Sequence, residues 1–212
     1  MAAHFPQCLK TQQGAALVLA LCTLIAILLL GASAAQMALQ GEKAARGERD
    51  RHSAFQAAED ALSDAENDIE GRPGAAGRSA IFASDSALGF VKACGAGAGN
   101  VHLGLCLLAP PGETPAWHGI DFSAAESEHM RFVPYGTFTG AALRAGWGTM
   151  PFQRPRYIIE LLPDTGHGID AGIAQHYFYR ITALGFGARA TTQVMLQSYY
   201  RKPGLHAVQV RP

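Results

Sequence analysis

The sequence predicts an α+β protein: a long N-terminal α-helix, apolar in its first half and amphipathic in its second, with the second half packed on an antiparallel β-sheet. Three observations predict it. Residues Gly14 to Ala35 are a run of 22 without a charge. Residues 36–70 contain no proline and repeat apolar side chains at helical spacing. Three segments after residue 153 are rich in aromatic and β-branched residues, two of them alternating with period two.

As a helix, the apolar run would be roughly 33 Å long against about 30 Å of bilayer hydrocarbon, so it is able to span. Only Cys22, Thr23 and Ser33 interrupt it with polar atoms, which weakens the alternative of a core helix in a soluble protein. A cleaved signal peptide fits the same stretch. Lys10 and the α-amino group form a basic n-region, Leu17 to Leu30 an h-region, and Ala32-Ser33-Ala34 a small-x-small cleavage pattern. Spacing alone leaves cleavage after Ala34 and a retained helix both open.

The following segment favours retention. Phe55, Ala58, Leu62, Ala65 and Ile69 recur at steps of three and four, and the large members Phe55, Leu62 and Ile69 are expected to meet the sheet. The other faces carry Glu59, Asp60, Asp64, Glu66, Asp68 and Glu70 with no Lys or Arg between His52 and Glu70. Glu59 and Asp60 read as the wet face of this helix, not as an acid–base pair. Gly41 and Gly47 are its weak spots, and Gly71-Arg72-Pro73-Gly74 stops it. No breaker separates the two halves, so they read as one rod of about 55 residues, a length that needs a membrane or an assembly to cover its apolar half.

After Gly71 the chain is long enough for one modest core. The formal net charge is zero, and residues 36–70 carry four basic and nine acidic groups against twelve and eight in residues 71–212. No basic face for nucleic acid follows from that split. Residues 72–153 are Gly- and Ala-rich, with short apolar pieces ("SAIF", "LGFVKAC", "HLGLCLL") that suggest loops, a short helix and one or two short strands. "RPRYIIELLP", "HYFYRITALGFGARA" and "TTQVMLQSYYR" read as strands. Leu184-Gly185-Phe186-Gly187-Ala188 is expected to connect the last two, its glycines free to take positive φ. One face of each strand is mixed, which fits a sheet covered on one side by the helix.

"GAALVLAL" after a short leader and "RDRHSAFQAAEDALSDAE" (Arg49 to Glu66), followed at a distance by "RPRYIIE" (Arg154 to Glu160) and "YRITALGFGARATTQVMLQSYY" (Tyr179 to Tyr200), resemble the N- and C-terminal regions of the PilX family of type IV pilus assembly proteins, which are minor pilins. The resemblance covers roughly residues 12–70 and 151–201 and implies a pilin-like fold. It implies a prepilin leader over 1–14, a transmembrane and pilus-core helix over 15–37, an amphipathic continuation over 38–71, a variable region over 72–153 and the C-terminal sheet over 154–212. Prepilin peptidase would cut between Gly14 and Ala15, leaving Ala15 as the methylated first residue. The chain would cross the inner membrane once, with its C-terminal domain in the periplasm, and enter the pilus with other minor pilins, supporting twitching motility and adhesion.

Two features depart from the pattern of major pilins, which have Phe at the first mature position and Glu at the fifth. Here these are Ala15 and Leu19. Leu avoids the cost of burying an unpaired carboxylate and gives up the registration that an ion pair provides, which suggests a low-copy role at a tip or in an initiation complex. Lys43, Arg46, Arg49 and Arg51 follow the apolar run against Lys10 before it. That bias favours the opposite topology, but the C-terminal blocks would then fold in the wrong compartment. Gly31 and Ala35 are small residues suited to helix–helix contact.

Of the four cysteines, Cys8 belongs to the leader and Cys22 reads as a small hydrophobe in the apolar helix. In the oxidising compartment the resemblance implies, Cys94 and Cys106 are expected to close a loop by a disulfide. A zinc site using them with His102 and His118 is the rival, without a finger or ribbon spacing. "DTGHGID" (Asp164 to Asp170) reads as a polar turn, with a calcium loop as the sharper alternative. The chain has no G-x-S-x-G, H-E-x-x-H, P-loop or C-x-x-C motif. No catalytic residue, cofactor or metal is therefore expected. The opposing functional class is a tethered or exported adhesin whose Gly-rich middle binds a surface.

Overall fold

The computed structural model describes residues 14–71, 78–83, 86–143, 150–164 and 177–202. The chain divides into two compact units, Met1–Glu48 and Arg49–Pro212. One helix, α1 (Ala15–Glu70, 56 residues), contributes to both.

In the first unit α1 is exposed on every side. Its most apolar 18-residue window has mean hydropathy 2.8 and none of it is buried. Thr23 and Ser33 donate their hydroxyls to the carbonyls of Ala20 and Leu29 at 2.9 and 2.8 Å, so the two polar side chains of this stretch are satisfied without water.

The second unit combines the rest of α1 with α2 (Ser79–Ala83) and five strands, β1 (Leu105–Leu107), β2 (Val133–Pro134), β3 (Arg156–Pro163), β4 (Tyr177–Phe186) and β5 (Gln193–Tyr200). The sheet runs β1-β3-β4-β5, and β2 also pairs with β3. β3, β4 and β5 form the antiparallel meander that the three aromatic segments suggest. The sheet as a whole is mixed, because β1 pairs parallel to β3 while β2 pairs antiparallel to it. The chain between β1 and β3 is long enough for the crossover that a parallel neighbour requires, and an all-antiparallel expectation misses this.

Alternation along β3 assigns its faces. The Tyr157 hydroxyl meets Asp68 of α1 at 3.0 Å. The next side chain back, Arg156, donates to the carbonyls of Phe122 and Ala124 on the far side and lies 4.3 Å from the Phe132 ring centroid. Both faces of β3 are thus covered, which is why its first six residues are all buried. β5 alternates exposed with half-buried positions, as expected of an outer strand covered on one face only.

β4 continues through Leu184, Gly185 and Phe186, residues that the sequence reading gives to a connection. The turn follows, closed by the Gly187 amide on the Thr192 carbonyl at 2.8 Å. The glycines here serve close approach rather than positive φ. A Cβ on Gly185 would overlap the Ala54 carbonyl and crowd the Ala57–Ala58 backbone, and one on Gly187 would overlap Asp50.

Candidate assembly interface and the anchors beneath it

The surface best suited to assembly is the first half of α1. Leu17, Leu21, Leu28 and Leu30 are 58–74 % exposed, and Cys22 is an exposed free thiol. Gly14 has φ +122° and α1 begins at the next residue, Ala15. Leu19 is 65 % exposed. Nothing lies within 4 Å of a Cβ placed on Gly31, and Ala35, one turn further on, is also exposed. Gly31 and Ala35 therefore share one open face of the helix.

The second half of α1 is fastened to the domain by a stripe that differs from the expected one. Its fully or nearly buried residues are Ala54, Ala57, Ala58, Ala61, Ala65 and Ile69 together with Asp50, Asp64 and Asp68. Ile69 enters the core and Leu62 packs half-buried against it. Phe55, expected on the sheet, is instead 38 % exposed. The reason is steric: at Gly185 the helix backbone touches the strand, and only alanine is small enough between them.

Asp64 and Asp68, expected on the faces away from the apolar stripe, are buried, and so is Asp50. Asp68 receives the Arg78 guanidinium, with Nε 2.9 Å from both carboxylate oxygens, and the Tyr157 hydroxyl. Neither member of the ion pair has any side-chain exposure. Arg78 also donates to the Leu103 carbonyl at 2.7 Å and lies 3.8 Å from the Phe138 ring centroid. Asp64 accepts the Gly136 amide at 2.8 Å and the Thr139 hydroxyl. Burial raises the Asp64 carboxyl above the ordinary value, against the pull of those two bonds. Asp50 accepts the Thr192 hydroxyl at 2.5 Å, the Ala188 amide at 2.6 Å and Arg189 at 3.1 Å, and the Thr192 bond leads in lowering its pKa despite some desolvation. Burial pushes the Tyr157 hydroxyl well up, reinforced by the Asp68 charge. Three acids on one helix face thus hold the 136–139 loop, the segment before α2, and the β4–β5 turn. Glu59 and Asp60 are exposed as expected, whereas Glu66 and Glu70 are half-buried and Glu70 accepts the Tyr200 hydroxyl.

On the other face of the sheet Glu160, fully buried, pairs with Arg180 at 2.8 and 2.9 Å. Cys94 and Cys106 form a disulfide. Both sulfurs are therefore committed, and the zinc reading with His102 and His118 loses its thiolates. No cluster of three potential metal ligands occurs among the described residues. Of "DTGHGID", only Asp164 is among the described residues, and Cys8 lies outside them.

Two family models match the chain. One, described as the PilX N-terminal region, covers residues 13–62. The other, described as the C-terminal region of the type IV pilus assembly protein PilX, covers residues 102–202. The second match takes in β1 and β2 as well as the meander, so the resemblance extends into the middle region. No curated protein and no solved structure matches significantly. With both regions in order, a long apolar N-terminal helix and a sheet closed over its second half, the chain belongs to the PilX family of type IV pilus assembly proteins.

Proposed function

We propose that the protein is a minor pilin of the complex that primes or caps a type IV pilus. It is made with a leader ending at Gly14 and cut there by prepilin peptidase. Residues 15–37 hold it in the inner membrane with the second unit in the periplasm. It then joins other minor pilins through the apolar helix, and the filament supports twitching motility and adhesion.

The observation that carries this reading is the 22-residue uncharged run with no buried position in its most apolar window. Such a surface is stable in lipid or against other apolar helices, and not in water. Membership of a pilus assembly family supports the filament as its second environment. A helix beginning at Ala15 directly after Gly14 supports that junction as the mature start. Leu19 at the fifth mature position leaves no carboxylate to pair with a neighbour's N-terminus, which favours a low-copy role over repeated self-addition. Gly31 and Ala35 allow neighbouring helices to approach closely.

Deletion of the gene tests the role. Loss of surface pili together with twitching supports it. Normal pilus number and twitching with only adhesion lost would replace it with a tethered adhesin.

A further inference from the structure

Three stretches of the second unit meet in a groove of about 220 Å³ that neither the apolar helix nor the buried aspartates use. Leu107, Ala116 and Ile120 line it with half-buried apolar surface, and Lys92 and Arg131 stand at it as cations. Lys92 holds Glu113 at 3.1 Å, but their side chains are 73 % and 49 % exposed, so the pair contributes little and is readily exchanged. Arg131 is exposed and has no hydrogen bond or ion pair among the described residues.

The fold holds this groove in shape at a conformational cost. Ala93, which lines it, and its neighbour Cys94 have φ of 64° and 69°, a region unfavourable for any residue with a Cβ. The Cys94–Cys106 bridge ties the Lys92–Ala93 segment to β1, which ends at Leu107. Cys94 and Cys106 are only 5 % and 0 % exposed, so the tie is sheltered. A preorganised apolar floor beside one weakly held and one unpaired cation is suited to a ligand that brings both a carboxylate and a greasy side chain.

We propose that the groove docks a carboxylate-bearing segment of a neighbouring pilus subunit. Its charge takes Arg131 and displaces Glu113 from Lys92, while an adjoining apolar side chain rests on Leu107, Ala116 and Ile120. Charge complementarity names the occupant, since an internal carboxylate is already accepted at Lys92. A contact between this groove and a different surface on the neighbouring subunit is heterologous and does not close into a symmetric dimer.

The proposal rests on the assembly reading, and the test separates them. A photo-reactive residue replaces Thr114, an exposed groove position, in the full-length protein expressed in its native cells. Cross-linked peptides are sequenced, and the protein is measured in sheared pili. The expected result is a cross-link to an acidic segment of a pilus subunit, reduced about tenfold by Lys92→Glu with Arg131→Glu and restored when the partner's acids are reversed to lysine. A protein present in pili whose cross-link is absent, indifferent to the charge reversal or not restored by the partner's reversal overturns the groove proposal alone. A protein absent from pili even with its native residues overturns the assembly reading.

Discussion

Gly185 on β4 lies against the backbone of Ala54 on α1, so closely that a side chain at position 185 would have to part helix from strand. Gly185→Ala should therefore destabilise the second unit by about 1–3 kcal/mol, the usual cost of overpacking. Chemical denaturation measures it. Ala substituted at Gly31, which nothing approaches within 4 Å, should leave the same transition unchanged.

The Asp68–Arg78 pair is fully buried, so removing one partner strands the other in a medium that does not solvate it. Asp68→Ala or Arg78→Ala should cost about 3–5 kcal/mol each. The double substitution should cost clearly less than the sum, because each single variant already carries the penalty of an unpaired charge. A double-mutant cycle read by denaturant midpoint decides this, and additive costs would mean that the two groups do not depend on each other.

Asp50 and Asp64 should give stability opposite dependences on pH. The Asp50 pKa is lowered in the fold from 3.8, so its contribution is present above that value and lost as pH falls through the folded pKa. The Asp64 pKa is raised from 3.8, so the fold favours its protonated form and loses that advantage as pH rises through the folded pKa. Asp50→Asn should accordingly be most damaging near neutrality and least damaging in acid. Asp64→Asn should compare better with the parent near neutrality than in acid. Thermal scans of the three proteins across pH 2–7 would test both signs at once.

Part of this architecture was legible because it follows from periodicity. The long helix shows as an uncharged run joined without a breaker to a stripe of step three and four, and the meander shows as aromatic and β-branched period two. Asp50, Asp64 and Asp68 were not legible as anchors. They fall at helical steps on the same stripe as Ala54, Ala57, Ala61 and Ala65, yet an acid on an amphipathic helix normally marks its solvated face. What buries them is Arg78, Gly136, Thr139 and Thr192, up to 142 residues away in sequence. Phe55 misled for the complementary reason. Size suggested a core residue, whereas the close helix–strand approach at Gly185 admits only small ones. β1 falls within "HLGLCLL", one of the pieces expected to supply a short strand; its parallel pairing was not legible, because it is set by the long crossover that follows it.

The Cys94–Cys106 bridge closes a loop with a separation of 12 residues around β1. Cys94→Ser with Cys106→Ser should lower stability by about 2–4 kcal/mol. The loss should concentrate in residues 91–107, with α1 and the meander keeping their amide protection. Hydrogen exchange followed by mass spectrometry locates the change, and a uniform loss across the second unit would make the bridge part of the global core.

The central claim is that the apolar helix is kept and that it begins at Ala15. N-terminal peptide mass spectrometry of the protein purified from native membranes and from sheared pili tests it directly. The account predicts a first residue of Ala15 carrying an N-methyl group in both fractions. A mature chain beginning at Ala35 would contradict it, leaving an exported protein without the helix on which the assembly role depends.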